Sequence, residues 1–166
     1  MGESAMDRFA RALTLATLLA ATAASAQVPS SNQRMRFTGD GAVFGVVATA
    51  TANVSADESF LHVALDQSTI RATPIAKEPR RITGYRIDLA YTKSSGEWDI
   101  LRKSERVPLD VELGHLDTIP VAARTLTIPI DGVASLNGMW LIFEIDVDGT
   151  PPGFTYSHGE KLRVGR

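Results

Sequence analysis

The sequence predicts an all-β protein, an antiparallel, immunoglobulin-like β-sandwich of about seven to nine strands behind an N-terminal helical signal peptide. From Arg34 onward, apolar residues recur at every second position, the period of a strand that buries one face. Gly, Pro, Asn or Asp bounds nearly every such segment, as is typical of strands joined by turns. No segment after the leader has the 3.6-residue period of a helix. A small β-barrel is the alternative architecture.

The first residues have the features of an export signal. Arg8 and Arg11 give a basic start, and the apolar run 12–20 is too short to span a bilayer comfortably. Ala24-Ser-Ala26 has the small-x-small form that signal peptidase cleaves. We therefore expect three parts: a cleaved signal peptide (1–26), a flexible mature N-terminus (27–33) and a β-sandwich domain (34–166).

This leader predicts a compartment. Neither a twin-arginine motif nor a lipid-accepting cysteine accompanies the apolar run, which leaves the general secretory route. We expect a periplasmic or secreted protein with no stable membrane anchor after cleavage.

Composition excludes several classes of function. The net charge is −2, with both signs interspersed, so the chain lacks the positive field that attracts nucleic acid. The chain contains no cysteine, which excludes disulfides, thiol enzymes and thiolate metal sites. We predict no cofactor.

Two strands and one hairpin are the clearest local predictions. Residues 139–147 alternate over the longest apolar stretch and predict a central strand, whereas Pro129 cannot donate to a ladder and favours a sheet edge. The turn residues 93–96 predict a hairpin loop that places Tyr91 opposite Trp98, as an aromatic pair anchoring the core.

A candidate binding patch lies on the less apolar side of the predicted central strand. Trp140 and Ile142 lie opposite the face of Leu141 and Phe143, so either a loop covers them or they form an exposed apolar surface. With Tyr156 they make a patch suited to a protein or carbohydrate partner.

Metal binding is an alternative function. The chain has three histidines, His62, His115 and His158, and neutral imidazole is a ligand for copper and zinc. No two of them have the short spacing of a metal motif. A copper or zinc site would therefore require the fold to bring them together.

Catalysis has less support. No G-x-S-x-G elbow is present, and the carboxylates Asp110, Glu112, Glu144 and Asp146 alternate with core positions, which indicates solvent faces rather than an acid pair. We predict an exported, non-catalytic module that binds a protein or glycan partner in the periplasm or cell envelope. A small hydrolase is the other alternative.

Overall fold

The described part of the chain consists of strands and contains no helix. A computed structural model describes residues 32–42, 44–151 and 155–163, with the backbone alone at 40–42 and 155–156. Residues 1–31, where the signal peptide is predicted, lie outside this range, and no helix within it is long and apolar enough to cross a membrane. The strands are β1 (Gln33–Ala42), β2 (Val46–Ala56), β3 (Phe60–Ala72), β4 (Arg80–Thr92), β5 (Trp98–Lys103), β6 (Val107–Leu113), β7 (Thr118–Val121), β8 (Arg124–Pro129), β9 (Trp140–Val147) and β10 (Thr155–Lys161).

All strands pair antiparallel in one hydrogen-bonded order, β5-β4-β9-β10-β1-β2-β3-β7, with β6 also beside β4 and β8 also beside β3. This order does not return to its start, so the barrel alternative is wrong. Strands β5 and β6 line one edge and β7 and β8 the other, and these edges carry Pro108, Pro120 and Pro129. Proline has no backbone N–H to donate to a neighbouring strand, so it is tolerated at an edge, where one side of the strand is unpaired.

The described strands number ten rather than seven to nine because both edges are interrupted. Strands β5 and β6 follow one another along β4, and residues 104–106 connect them. There the Ser104 hydroxyl accepts the Ile87 N–H at 3.0 Å, and Ser104 N donates to Ile87 O at 2.8 Å. A side-chain oxygen thus replaces a backbone acceptor where the ladder breaks.

Strand β1 joins two halves of the sheet. Its first residues pair with β2, and from Thr38 onward it pairs with β10 across a bulge. Gly39 allows this change, because a Cβ there would lie 2.7 Å from Val47 Cβ. The buried Ser157 hydroxyl donates to Ala48 O at 2.7 Å and accepts from Ala48 N at 3.2 Å. The Ser157 hydroxyl thereby satisfies the backbone groups of Ala48, which lies beyond the last residue of β2 that pairs with β1. We call the two parts the β2–β3 half (β2, β3, β7, β8) and the β4–β9 half (β4, β5, β6, β9, β10).

One hydrophobic core draws side chains from both halves. Phe143 stacks on Tyr85 at 5.2 Å between ring centroids and meets Phe37 edge-to-face at 6.1 Å. Strand β9 lies between β4 and β10, which confirms its predicted central position. Strand β8, which ends at Pro129, lies at an edge, as predicted.

The predicted register of the β4–β5 hairpin is wrong by one residue. Thr92 is opposite Trp98, and Tyr91 is opposite Asp99. The loop holds five residues rather than four, closed by Lys93 N donating to Glu97 O at 2.8 Å, with Gly96 at a φ of 85°. A slip of one residue reverses the face of every side chain. Trp98 therefore leaves the core side and joins the opposite face of the β4–β9 half.

Candidate functional site

The candidate site is the face of the β4–β9 half that points away from the core, which we call the outer face. Trp140 is opposite Ala90, and Ile142 is opposite Asp88 on β4 and His158 on β10. Residues directly opposite in an antiparallel ladder share a face. The outer face therefore carries an aromatic end and an acidic centre, joined through Ile142.

The aromatic end consists of Trp98, Trp140 and His158, which we call the aromatic cluster. The ring centroids lie 5.2 Å apart for Trp98–Trp140, 5.7 Å for Trp140–His158 and 6.2 Å for Trp98–His158. The two tryptophan rings meet edge-to-face at 78°, a favoured aromatic geometry. Lys161 places Nζ 5.5 Å from the centre of the Trp140 ring, within cation–π range. All three rings are half-buried, so each keeps surface for contact.

Sequence reasoning located part of this cluster. It placed Trp140 and Ile142 on the correct side of β9, where Trp140 is half-buried and Ile142 is buried. It missed Trp98, because the hairpin register was wrong, and it assigned His158 to metal binding rather than to the patch. The backbone of Tyr156 is paired opposite Glu144, but its side chain lies outside the described residues.

The acidic centre consists of Asp88 and Glu144, which we call the acid pair. Both are buried, with 1% and 3% of their surface exposed. Arg86 donates to Glu144 Oε2 from Nη2 at 2.7 Å and from Nε at 3.1 Å. Its Nε also lies 3.2 Å from Asp88 Oδ1, but outside hydrogen-bond geometry, since that oxygen has no hydrogen-bond partner among the described residues. One guanidinium thus serves two buried carboxyl groups.

Burial raises the pKa of Asp88 to about 7, and the hydrogen bond with Glu144 and the negative charge of Glu144 act in the same direction. The positive charges of Arg86 and Lys103 oppose this rise in pKa. Removing water disfavours the ionised form, and a neighbouring carboxylate disfavours it further. The acid pair therefore retains a proton at pH values where most carboxyl groups are ionised.

The sequence contained a signal for the acid pair that alternation alone did not use. Alternation gave the correct face for Glu144, but the expectation that this face is solvated was wrong. Glu144 lies in the middle of the most apolar strand, and Asp88 follows Arg86 on the same face of the adjoining strand β4. An acid inside a predicted central strand requires a partner. That requirement pointed to the nearby arginine.

A second ion pair borders the acid pair and lines a pocket of about 370 Å³. Arg106 pairs with Asp146 and donates from Nη2 to Thr83 O at 2.7 Å. Arg86 also lines this pocket, whereas neither Asp88 nor Glu144 does. The acid pair is therefore screened from this pocket by Arg86.

The three histidines have separate surroundings. His62 Nε2 lies 2.7 Å from Asp57 Oδ2 beside the β2–β3 turn, and the exposed His115 has Nδ1 2.9 Å from Ala76 O. His158 belongs to the aromatic cluster. Within the described ranges, no group of three or more His, Asp or Glu side chains is arranged to hold a metal ion. Copper or zinc binding by these histidines stays a prediction for a binding measurement.

Comparison of the chain with protein-family models, curated proteins and solved structures gives no match. The geometry of the outer face is therefore the basis on which a function is inferred.

Proposed function

We propose that the protein is an exported, non-catalytic β-sandwich module that binds a partner in the periplasm or cell envelope through the outer face. The observation that carries this proposal is the aromatic cluster, a group of half-buried rings on the side of the sheet away from the core. Tryptophan is enriched at binding surfaces because it combines a large apolar area with a polar N–H. The leader at residues 1–26 supports export.

A sandwich of immunoglobulin-like type is supported by the shared core. Leu61 of β3 and Phe143 of β9 belong to the same core cluster, although three strands separate β3 from β9 in the sheet order. Strand β8 also contacts β4 and β5 from the far end of that order. A strand that changes partners at a bulge, as β1 does, is how sandwich corners are built.

A protein partner is favoured over a glycan by the ring geometry. A sugar chain stacks best on coplanar rings, but Trp98 and Trp140 stand at 78° to each other. The same arrangement of half-buried rings forms an angled apolar surface next to the charged Lys161. Protein interfaces combine such an aromatic centre with a polar rim.

The acid pair gives a small hydrolase only weak support. A carboxyl group with a pKa of about 7 is suited to general acid–base catalysis. A catalytic acid must, however, reach its substrate, and the pocket nearest the acid pair is lined by Arg86 instead. This arrangement favours a structural or regulatory role for the acid pair.

The test is native mass spectrometry of the mature protein isolated from its own periplasm, compared with Trp140→Ala and Trp98→Ala. We expect a co-purified protein that both variants lose while their melting transitions remain cooperative. Phe60→Ala is the matched control, because Phe60 is an exposed aromatic residue in the other half of the sheet. It should retain the partner.

Two outcomes would refute this binding proposal. One is a partner that remains fully bound to both tryptophan variants. The other is a mature protein that carries no protein and binds none after cross-linking in the periplasm. A glycan released from the wild type but absent from Trp140→Ala would change the class of partner and keep the surface.

A further inference from the structure

The acid pair lies next to the aromatic cluster on the outer face, where both carboxyl groups are buried. Asp88, Ile142 and His158 form a row across strands β4, β9 and β10. Lys103, the last residue of β5, is directly opposite Asp88, and Trp98 is the first residue of the same short strand. A change at Asp88 can therefore reach the aromatic cluster through Ile142 and through β5.

The charges at the acid pair do not balance when both carboxyl groups are ionised. Arg86 supplies one positive charge and makes both of its hydrogen bonds to Glu144, so an ionised Asp88 would leave one negative charge buried. Asp88 Oδ1 has no hydrogen-bond partner in the described part of the chain. A proton shared between the two carboxyl groups removes the excess charge.

Charged and titratable groups approach Asp88 from each neighbouring strand. Arg86 lies on its own strand, and Glu144 and Asp146 lie on β9, where Asp146 is paired with Arg106. Lys103 faces it from β5, and His158 lies in its row on β10. The side chain of Lys103 is exposed and contributes a favourable charge to ionised Asp88. Lys103 is thus the nearest cation on a neighbouring strand that an ionised Asp88 could recruit.

We propose that the acid pair is a proton-operated switch for the outer face. With the shared proton bound, Asp88 is hydrogen-bonded to Glu144. After the proton leaves to solvent, ionised Asp88 forms an ion pair with the side chain of Lys103, the residue opposite it on β5. This new contact at one end of β5 changes the packing of Trp98 on Trp140 at the other end. This inference rests on the proposed function, because the face it regulates is the proposed binding surface.

The chain itself supplies the probe for this switch. Trp98 and Trp140 are its only two tryptophans, so intrinsic fluorescence reports on the aromatic cluster alone. We expect the emission of the mature wild-type protein to change between pH 5 and 9 with a midpoint near 7, the pKa of Asp88. Asp88→Asn should abolish this transition, and Glu144→Gln should abolish it or move it by more than about one pH unit.

Two further variants separate the switch from simpler explanations. Lys103→Gln should abolish the fluorescence transition, because ionised Asp88 then has no cation on β5 to pair with, whereas the Asp88 carboxyl should still titrate, at a higher pH than in the wild type. His158→Gln should keep the transition, since His158 is not one of the two groups that share the proton. Far-ultraviolet circular dichroism at both pH values checks that each variant is folded.

The switch would be overturned by a transition that Asp88→Asn leaves unchanged, by one that His158→Gln removes, or by no transition in the wild type. The fluorescence experiment needs no partner, so these results leave the binding proposal intact. Conversely, a normal transition in a protein that captures no partner would support the switch and count against the binding surface.

Discussion

Each half of the sheet has a carboxylate beside an arginine, with opposite consequences. On the β2–β3 half, Asp66 Oδ2 of β3 lies 2.6 Å from Nη1 of Arg34, which is on the bordering strand β1. On the β4–β9 half, Arg86 Nη2 lies 2.7 Å from Glu144 Oε2. The first pair is exposed, and the pKa of Asp66 is lowered, chiefly by the hydrogen bond from Thr51. The second is buried, and the pKa of Asp88 beside it is raised.

The two arginine–carboxylate distances are nearly equal, so solvation, rather than distance, decides whether the pKa of the neighbouring aspartate is raised or lowered. Water screens Arg34 and Asp66, so their attraction contributes little and neither group is costly to ionise. Around Asp88 the water is gone, and each uncompensated charge is expensive. Arg34 and Asp66 therefore form an ordinary solvated ion pair, whereas Asp88 and Glu144 would carry a buried charge imbalance if both were ionised.

The largest expected effect comes from removing Arg86. Arg86→Ala leaves two buried carboxyl groups without their cation, and we expect the free energy of unfolding to fall by about 3–5 kcal/mol. The matched change Arg34→Ala in the exposed pair should cost less than about 1 kcal/mol. Urea denaturation of both variants at pH 7.5 measures the two losses. Equal losses would contradict the distinction between the halves.

The second effect is a pH dependence of stability with a defined sign. Because the pKa of Asp88 is about 7 in the folded state and near 4 in an unfolded chain, folding favours the protonated form. The stability that this group contributes is fully present below about pH 4, is lost as pH rises toward 7, and stays lost above that. Asp88→Asn should therefore be more stable than wild type at pH 8 by roughly 2–4 kcal/mol.

The measurement is the free energy of unfolding of wild type and Asp88→Asn at a series of pH values from 4 to 8. The difference between the two proteins should grow with pH over this range. Asp66→Asn provides the opposite case when the series is extended to about pH 2, because a lowered pKa contributes stability above about pH 4 that is lost as the pH falls further. If the stability advantage of Asp88→Asn over the wild type shrinks as the pH rises, the raised pKa assigned to Asp88 is wrong.

The third effect concerns the aromatic residues of the two halves. Trp140→Ala removes ring contacts with Trp98 and His158 and the cation contact of Lys161, and we expect a loss of about 1–2 kcal/mol. Phe60→Ala, on the β2–β3 half, should change stability by less than about 0.5 kcal/mol, because Phe60 is exposed. Thermal melts compare them. A loss above about 4 kcal/mol for Trp140→Ala would place this residue in the core instead.

The smallest effect is the coupling between Arg34 and Asp66. A double-mutant cycle on these two residues should give a small favourable coupling that declines when salt is raised from about 0.05 to about 1 M. The cycle is measured by chemical denaturation at both salt concentrations. A coupling that salt leaves unchanged would mean that this pair is not solvated. Arg34 and Asp66 could then no longer serve as the exposed pair with which the buried one is compared.

Much of the fold followed from the period of the apolar residues. Alternation gave the strand character, the central position of β9 and the correct faces of Trp140 and Ile142, because each depends on the sequence pattern of one strand. The position of Trp98 did not follow, since one residue in a loop decides the face of a whole strand. Gly96 alone did not distinguish a four-residue from a five-residue loop.

The acid pair was beyond the reach of alternation for a different reason. The pattern indicates which side of a strand a residue occupies, but not whether that side is exposed to solvent. Burial of Asp88 and Glu144 depends on which strands become neighbours, and the pairing of β4 with β9 joins segments more than fifty residues apart. Only the presence of Glu144 in an apolar strand hinted at a partner. The same limit applies to the histidines, whose separate surroundings are set by strand order.

The most direct test of the contrast between the halves is a carbon-13 NMR titration of the carboxyl groups of Asp88 and Asp66 in the folded protein. We predict that Asp88 loses its proton near pH 7, whereas the pKa of Asp66 lies below the ordinary value of an aspartate. An Asp88 carboxyl that titrates in the ordinary range of an aspartate would contradict both the buried charge imbalance and the switch built on it.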